Sequence, residues 1–226
     1  MKVATKRITS REREQIDAAV AEAEALTSAE IVPVVATTSG RYERGEDIVG
    51  LWVGAAALVL VWLFLPQESG ESGSWGGVSA AVKLGLLLAA LACGFVVGAS
   101  LAARVGWLKR LFVPRRQMRD KVNARAREVF FDRRVYRTGG GTGVLVYVSL
   151  LERRAALLAD QNVVDKLGQP AIDELCGQLT GELRKHGCLA EALCATIKTA
   201  GERLAAALPK TGNDTDELPN ALVTID

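Results

Sequence analysis

The chain has 226 residues, of which 49% are hydrophobic, and its 28 basic and 26 acidic side chains leave a net charge of only +2. A charge so near zero argues against a dedicated nucleic-acid-binding protein, because such proteins carry a strongly basic surface. The four cysteines indicate no disulfide framework. A signal peptide is not expected, because the first apolar run begins too late and no small-residue cleavage site follows it.

The first 47 residues predict a helix followed by a strand. Residues 9–12 have the capping-box pattern, with Glu12 three positions after Thr9, so a helix is expected to begin at Ser10. Residues 30–38 are apolar and β-branched and predict a strand. Pro33 within it indicates an edge position or a bulge, because proline has no N–H to donate to a neighbouring strand. A segment of this size is too small to hold a core alone.

Two uncharged apolar runs follow, at residues 48–65 and 84–103. Each is close to the roughly 20 residues that a helix needs to cross the hydrocarbon core of a bilayer. Soluble core helices rarely stay uncharged for so long, because one face meets water. The linker of residues 66–77 is short, so residues 48–105 predict an antiparallel transmembrane hairpin. Two buried helices of a soluble domain are the less favoured alternative.

The distribution of charge predicts how the hairpin is oriented. The linker contains Glu68 and Glu71 but no Lys or Arg, whereas residues 104–137 contain twelve basic and three acidic residues. Cytoplasmic flanks of membrane helices collect Lys and Arg. We therefore expect a multi-pass protein of the bacterial inner membrane with its linker outside and both chain ends in the cytoplasm. The candidate contacts with anionic lipid headgroups are Arg115, Arg116, Arg119, Lys121 and Trp107.

Residues 106–208 predict a second group of elements, which begins with a helix over residues 115–131. Its apolar positions recur at helical spacing and are expected to face the domain core; they are Met118, Val122, Ala126, Val129 and Phe130.

Two strands and then two helices are predicted next. The continuous apolar run of residues 144–150 predicts a buried strand, and residues 155–159 predict a second strand after a hairpin turn. Pro170 is typical of the first turn of a helix, and residues 189–208 predict another helix. Residues 209–226 are predicted to form a polar, mostly extended tail.

The order of these elements indicates one α/β domain of helix and sheet layers, interrupted by the hairpin. Neither flanking segment can bury its apolar face alone, so residues 30–38 are expected to pair in one sheet with residues 144–150. Two membrane crossings return the chain to the side on which it began, which allows the segments to meet.

Several segments resemble the TPM domain family. Residues 23–32 are similar to its first helix and strand, and residues 142–160 to its central β-hairpin. Residues 208–209 and 216–219 resemble the closing segment of a bacterial subgroup with a membrane hairpin inserted after the first strand. The resemblance covers nearly all of the chain. It implies a helix/sheet/helix sandwich split by a two-helix transmembrane hairpin. Relatives are linked to photosystem II repair, receptor modulation, divalent-metal binding and weak phosphatase activity.

Two carboxylates lie at predicted strand ends, Glu30 at the start of the first strand and Asp160 after the last. Strand ends of open α/β sheets form ligand crevices, and carboxylate oxygens are the ligands that Ca²⁺ and Mg²⁺ prefer. Glu30 and Asp160 are therefore candidate metal ligands, chiefly because of the family resemblance. In the alternative interpretation they cap helices or pair with arginines. Further candidates in the same region are Asp165, Asp214, Asp216 and Glu217.

Two other motifs are weaker. The glycine-rich residues 137–143 could present backbone amides to an anion, but they lack the Lys-Ser/Thr of a phosphate-binding loop and lead into a strand, so a mobile turn is favoured. His186, Cys188 and Cys194 are close in sequence. Without a second cysteine pair, their spacing favours cysteines that pack between helices over a zinc site.

Two classes of function remain open. A membrane-tethered interaction module, which assists the assembly, turnover or repair of a membrane complex through an unknown membrane protein partner, needs no catalytic group and is favoured. A membrane-anchored, metal-dependent hydrolase such as a weak phosphatase needs clustered carboxylates with an open metal position. A channel or transporter is less consistent with two uncharged helices. The sequence names no catalytic residue.

Overall fold

The computed structural model describes residues 3–65, 79–105, 113–185, 188–210 and 217–226. They form two compact units, one within Arg41–Pro114 and the other from Lys2–Gly40 together with Arg115–Asp226. The described elements in chain order are α1 (Ala4–Arg7), α2 (Ser10–Glu24), β1 (Glu30–Ala36), α3 (Glu43–Phe64), α4 (Ala80–Arg104), α5 (Arg115–Asp132), a 3₁₀ turn (Val135–Arg137), β2 (Gly143–Ser149), β3 (Arg154–Ala159), α6 (Gln161–Leu167), α7 (Gln169–Lys185), α8 (Leu189–Ala207) and β4 (Val223–Ile225).

A four-stranded mixed sheet lies at the centre of the second unit, in the order β3-β2-β1-β4. β1 pairs in parallel with β2 along its whole length, from Glu30 opposite Gly143 to Ala36 opposite Ser149. β1 also pairs in parallel with β4, and β2 pairs antiparallel with β3. The prediction that the segments on either side of the apolar hairpin share one sheet is confirmed.

Helices cover both faces of this sheet, because successive side chains of a strand point to opposite sides. Ile31, Val35 and Val146 pack in one core with residues of α2, α7 and α8. Val32 and Leu145 pack in a second core with the apolar face of α5. The five predicted apolar positions of α5 are all buried, and the fold is a mixed α/β arrangement.

The helix α2 begins where the sequence predicts. Thr9 is the N-cap of α2, and its hydroxyl accepts a hydrogen bond from the N–H of Glu12, while the Glu12 carboxylate accepts one from the N–H of Thr9. Further along, α2 and α8 cross at small residues: a Cβ on Gly201 would lie only 2.6 Å from the Cβ of Ala23. Glycine at 201 therefore permits this close approach.

Pro33 lies in a strand that is interior to the sheet, but at a position before the pairing with β4 begins, so that the expected edge position holds only locally. The N–H of Thr37 donates to the carbonyl of Ile225 in β4, which shows that odd-numbered residues of β1 direct their N–H groups toward β4. Proline at 33 lacks this group just before the pairing with β4 begins. The N–H of Ile31, on the same side, donates instead to Glu24 Oε1 at 2.7 Å. The first half of β1 therefore needs no strand partner on that side.

The segment predicted as a polar tail contributes to the fold. β4 extends the sheet, Leu222 is buried, and the N–H of Leu222 donates to Asp17 in α2 at 2.7 Å. The carboxylate of Asp226 accepts hydrogen bonds from the N–H and hydroxyl of Thr5. A strand of three residues is too short to show alternation in the sequence, and this explains why it was not predicted.

The first unit is a hairpin of α3 and α4, and both helices are long and apolar enough to cross a membrane. Their contact is built on glycine. A Cβ on Gly54 would lie 2.7 Å from the carbonyl oxygen of Leu91, and one on Gly98 would lie 2.7 Å from the Cβ of Val53. Small residues at helix contacts, with large apolar side chains facing outward, are typical of membrane helix pairs.

Candidate functional site

A cavity of about 240 Å³ lies beside the beginning of β1. The end of α2, the first residues of β1 and the C-terminal segment form its walls. Two carboxylates line it, Glu24 and Glu30, with 7% and 8% of their surfaces exposed. Thr27, Lys210 and Asn220 complete its polar lining. Typical small-ligand sites are larger, at about 300–1,000 Å³, and mostly apolar, so this cavity is a small polar crevice.

Backbone N–H groups hold both carboxylates of this cavity in place. Glu24 Oε1 accepts from Ile31, as described above. The Glu30 carboxylate accepts from the N–H of Glu217 at 3.3 Å and from that of Leu218 at 3.4 Å. Burying a carboxylate is costly unless hydrogen bonds compensate for the lost water. These two side chains therefore join the first strand to α2 and to the C-terminal segment.

A cation also contributes to the cavity. The Lys210 ammonium donates to the carbonyl oxygen of Glu24 at 2.9 Å, and the Thr27 hydroxyl donates to the carbonyl of Leu208 at 2.7 Å. Chemically, the arrangement places two acidic groups and one basic group around a small volume. Glu24 and Lys210 were not singled out in the sequence, because only the fold brings residues 186 positions apart into contact.

Glu30 and Asp160 lie at the same end of the strands and on the same face of the sheet. Glu30 pairs with Gly143, whose carbonyl accepts the N–H of Asp160. Two strand spacings of about 4.8 Å put their backbones roughly 10 Å apart. The Val135 carbonyl occupies the space above Gly143, where any Cβ would collide with it. This backbone segment separates the two carboxylates.

Asp160 has a structural role of its own as the N-cap of α6, and its Oδ1 accepts the N–H of Gln161 at 2.7 Å. Helix capping was the alternative interpretation of this residue. In the described ranges, no three or more His, Cys, Asp or Glu side chains are grouped so that they could hold a metal ion. Asp214 and Asp216 lie outside those ranges, so binding of Ca²⁺ or Mg²⁺ stays a prediction.

The glycine-rich segment is a turn that leads into β2, which confirms the predicted turn, although hydrogen bonds hold it where mobility was expected. The hydroxyl of Thr138 accepts the N–H of Thr142 at 2.8 Å, and Gly141 has a positive φ of 61°. The N–H of Gly139, which could have faced an anion, donates to Glu217 Oε2 at 2.7 Å. This amide therefore hydrogen-bonds to the same C-terminal segment whose backbone N–H groups donate to Glu30.

The cysteines of the zinc hypothesis pack against the core. Cys188 is the N-cap residue of α8, and both Cys188 and Cys194 are half-buried against the larger hydrophobic core. Burial raises the pKa of the Cys194 thiol, which disfavours the thiolate form that binds metals. His186 lies outside the described residues.

The predicted membrane-interface residues lie on the exposed side of α5. Arg115, Arg116, Arg119 and Lys121 are all exposed, because the apolar side of the helix is buried against the sheet. Arg119 is 3.9 Å from Asp120, a distance typical of a weak surface ion pair. Trp107 lies outside the described residues, and contact of this cluster with lipid stays a prediction.

A buried acidic network that the sequence analysis missed lies at the opposite end of the strands, after the last residues of β1 and β2. Glu152, only 4% exposed, accepts hydrogen bonds from the Ser149 hydroxyl and from the N–H of Ser39 at 2.9 Å. The Ser39 hydroxyl is 2.9 Å from the hydroxyl of Tyr147, and burial raises the pKa of that phenol. The network fixes residues 38–40, where the chain leaves β1. Glu152 was predicted only as part of a hairpin turn, and nothing local signals its burial.

Comparisons with known proteins indicate the fold but no function. No protein-family model matches the chain, and no curated protein matches it. Among solved structures, it is similar to the NMR structure of the BA42 protein from the psychrophilic bacterium Bizionia argentinensis, with a TM-score of 0.54. That similarity covers 96% of this chain and 94% of the other at 18% identity. It supports the mixed α/β fold with a helix-flanked sheet.

Proposed function

We propose that the chain is a membrane-anchored protein with a TPM-type domain. In this proposal the α/β unit is an interaction module that assists the assembly, turnover or repair of a membrane complex. One observation carries it: β1 precedes the apolar hairpin and β2 follows it, yet the two strands pair at seven successive positions. If the hairpin crosses a membrane, both of its ends must open on the same side. The hairpin then tethers a complete domain to the bilayer.

The charge pattern supports a cytoplasmic position for this domain in a bacterial inner membrane. The linker between the apolar runs has no Lys or Arg, and the segment after the second run is strongly basic. This is the asymmetry of the positive-inside rule. An interaction module needs rigid surfaces rather than a catalytic group. The sheet supplies that rigidity, because helices cover both of its faces.

The test is capture of neighbouring proteins in the native membrane with the full-length chain and a chemical crosslinker. The matched control is Val146→Asp, which places an uncompensated charge in the core and unfolds the domain but leaves the hairpin sequence intact. We expect a reproducible set of membrane proteins that is captured by the wild-type chain and lost with the variant. Equal capture by both chains would assign the interaction to the hairpin and contradict the proposal.

A divalent-metal-dependent hydrolase is the second candidate, and the cavity beside β1 favours it. The carboxylates of Glu24 and Glu30, with the amide of Asn220 and hydroxyl of Thr27, provide the oxygen donors that Ca²⁺ and Mg²⁺ prefer. The Lys210 ammonium opposes a cation there, and Asp160 does not line this cavity. When bound, such an ion would polarise a phosphate ester.

Calorimetric titration of the full-length chain with Ca²⁺ or Mg²⁺ separates the two candidates. Saturable binding that is lost in Glu24→Gln and Glu30→Gln, together with turnover of a phosphate ester, would favour the hydrolase. The Asp160→Asn variant is the control for binding elsewhere at the sheet edge. Absence of binding would leave the interaction module as the account of this domain.

A further inference from the structure

The end of α5 and the 3₁₀ turn after it form an exposed surface in which aromatic rings are surrounded by arginines. We call it the aromatic–arginine surface, and it consists of Arg127, Phe131, Arg133, Arg134, Tyr136 and Arg137. It is distinct from the cations at the start of α5 that the sequence analysis identified, and it belongs entirely to the α/β unit.

Two large rings are exposed at its centre. Phe131 is 61% exposed and Tyr136 is 43% exposed, and their ring centroids are 5.3 Å apart. The buried ring of Phe130 meets Phe131 edge-on at 6.0 Å. Single exposed apolar side chains are ordinary on a protein surface. Here the rings of Phe131 and Tyr136 contact each other, and the buried Phe130 ring packs against Phe131, so that the apolar surface is preorganised.

The backbone fixes this surface rigidly. Val135, between the outward-facing Arg134 and Tyr136, is fully buried, and its carbonyl sits where Gly143 of β2 has no side chain. Arg134 has a positive φ of 56°, in the left-handed region that residues with a Cβ rarely adopt because the Cβ crowds the following carbonyl oxygen. The fold therefore retains a strained residue that turns the chain so that its neighbours face solvent.

The charge around the rings is positive. Arg127, Arg133, Arg134 and Arg137 are exposed, and no ion pair involves them in the part of the chain that the structure describes. The acidic groups of the same stretch are Asp132, which is exposed, and Glu128. Glu128 forms an ion pair with Arg125 at 2.6 Å. Because positive charge is in local excess, the surface is electrostatically complementary to an anionic partner.

We propose that the aromatic–arginine surface docks on the headgroup region of an anionic bilayer. Arginines bind phosphate oxygens, and Tyr and Phe rings insert at the headgroup level, where one end is apolar and the other is wet. An anionic membrane satisfies both properties at once. The proposal rests on membrane anchoring, since the tether keeps the bilayer at a high effective concentration. Docking would hold the α/β unit in a fixed orientation on the membrane.

The test uses the full-length chain in nanodiscs of phosphatidylcholine, with or without a quarter of phosphatidylglycerol. A photo-reactive phenylalanine analogue replaces Tyr136, and lipid adducts are measured by intact mass. The matched control position is Leu26, which is 55% exposed in the same unit but lies outside the arginine cluster. The charge variants are Arg133→Gln and Arg137→Gln, which leave the strained Arg134 in place. Lys198→Gln, on the exposed side of α8, is the matched control for charge.

We expect lipid adducts at position 136 in anionic discs, few at position 26, and a loss of about fivefold for each arginine removed. Lys198→Gln should leave the yield unchanged. Equal adducts at both positions, or adducts insensitive to phosphatidylglycerol and to the arginines, would overturn the docking. The same variant irradiated in native membranes provides a second measurement, and adducts from position 136 to a protein rather than to lipid would also overturn the docking. A chain that does not remain with the discs would refute membrane anchoring itself, and with it this docking.

Discussion

The crossing of α2 and α8 provides a sharp test of the packing, because α2 precedes the apolar hairpin and α8 follows it. A Cβ on Gly201 would lie 2.6 Å from the Cβ and 3.0 Å from the Cα of Ala23, so that something must shift. Gly177 in α7 is the matched control, since a Cβ there would meet nothing within 4 Å. The same substitution, glycine to alanine, therefore probes open space at one site and a filled contact at the other.

The expected magnitudes follow from two opposing effects. Alanine in place of a helical glycine stabilises by about 1 kcal/mol, and overpacking a close contact costs about 1–3 kcal/mol. We expect Gly177→Ala to raise the free energy of unfolding by about 1 kcal/mol. Gly201→Ala should be less stable than Gly177→Ala by about 1–3 kcal/mol. Gly201→Ala should cost less in an Ala23→Gly background than in the wild-type chain, because the opposing methyl group is gone and only the contact with the Cα remains.

The assay is pulse proteolysis of the full-length chain in detergent micelles over a range of urea concentrations. It reports the unfolding of the α/β unit through the loss of protease-resistant chain. If Gly201→Ala and Gly177→Ala stabilised the unit equally, α2 and α8 would not be in contact as described. The same conclusion would follow if Gly201→Ala cost as much in the Ala23→Gly background as in the wild-type chain.

Three further predictions concern other parts of the molecule. Val146→Asp should unfold the α/β unit, because an uncompensated buried charge costs several kcal/mol; a resistant core in the same proteolysis assay would contradict this. Gly98→Leu should disrupt the α3–α4 contact, because its side chain would collide with Val53; unchanged energy transfer between fluorophores on the two helices would argue otherwise. Hydrogen bonds from Thr5 hold the pKa of the Asp226 carboxyl below its ordinary value. These bonds therefore stabilise the fold fully when the pH is above the ordinary pKa, and their contribution is lost as the pH falls through the lowered pKa. Hydrogen exchange at the Thr5 amide should then show added loss of protection in this acidic range, and exchange that follows only its intrinsic pH dependence would count against it.

Periodic and capping signals in the sequence predicted much of the fold. The capping box at Thr9 located the start of α2, and the helical spacing of apolar residues in α5 identified its buried face correctly. The pairing of β1 with β2 followed from the argument that neither flanking segment could bury a core alone. These signals are local, or they depend on apolar area, which the sequence displays directly.

The features that were missed depend on contacts between distant residues. α6 and β4 are too short to show a period, and Pro33 is tolerated in an interior strand because β4 begins to pair only at Val34, so that no partner requires an N–H at position 33. Glu24 and Glu152 resemble ordinary surface carboxylates in the sequence. Their burial arises only when residues far along the chain close over them.

The most direct test of the account is the accessibility of two engineered cysteines in intact cells. Ser72→Cys lies in the linker between the apolar runs, and Ser10→Cys lies at the exposed start of α2. Labelling uses a membrane-impermeant maleimide, and mass spectrometry of the labelled peptides separates these sites from the four native cysteines. We predict reaction at position 72 in intact cells, and at position 10 only after the membrane is permeabilised. Protection of position 72 together with labelling of position 10 in intact cells would contradict a tethered domain on the cytoplasmic side.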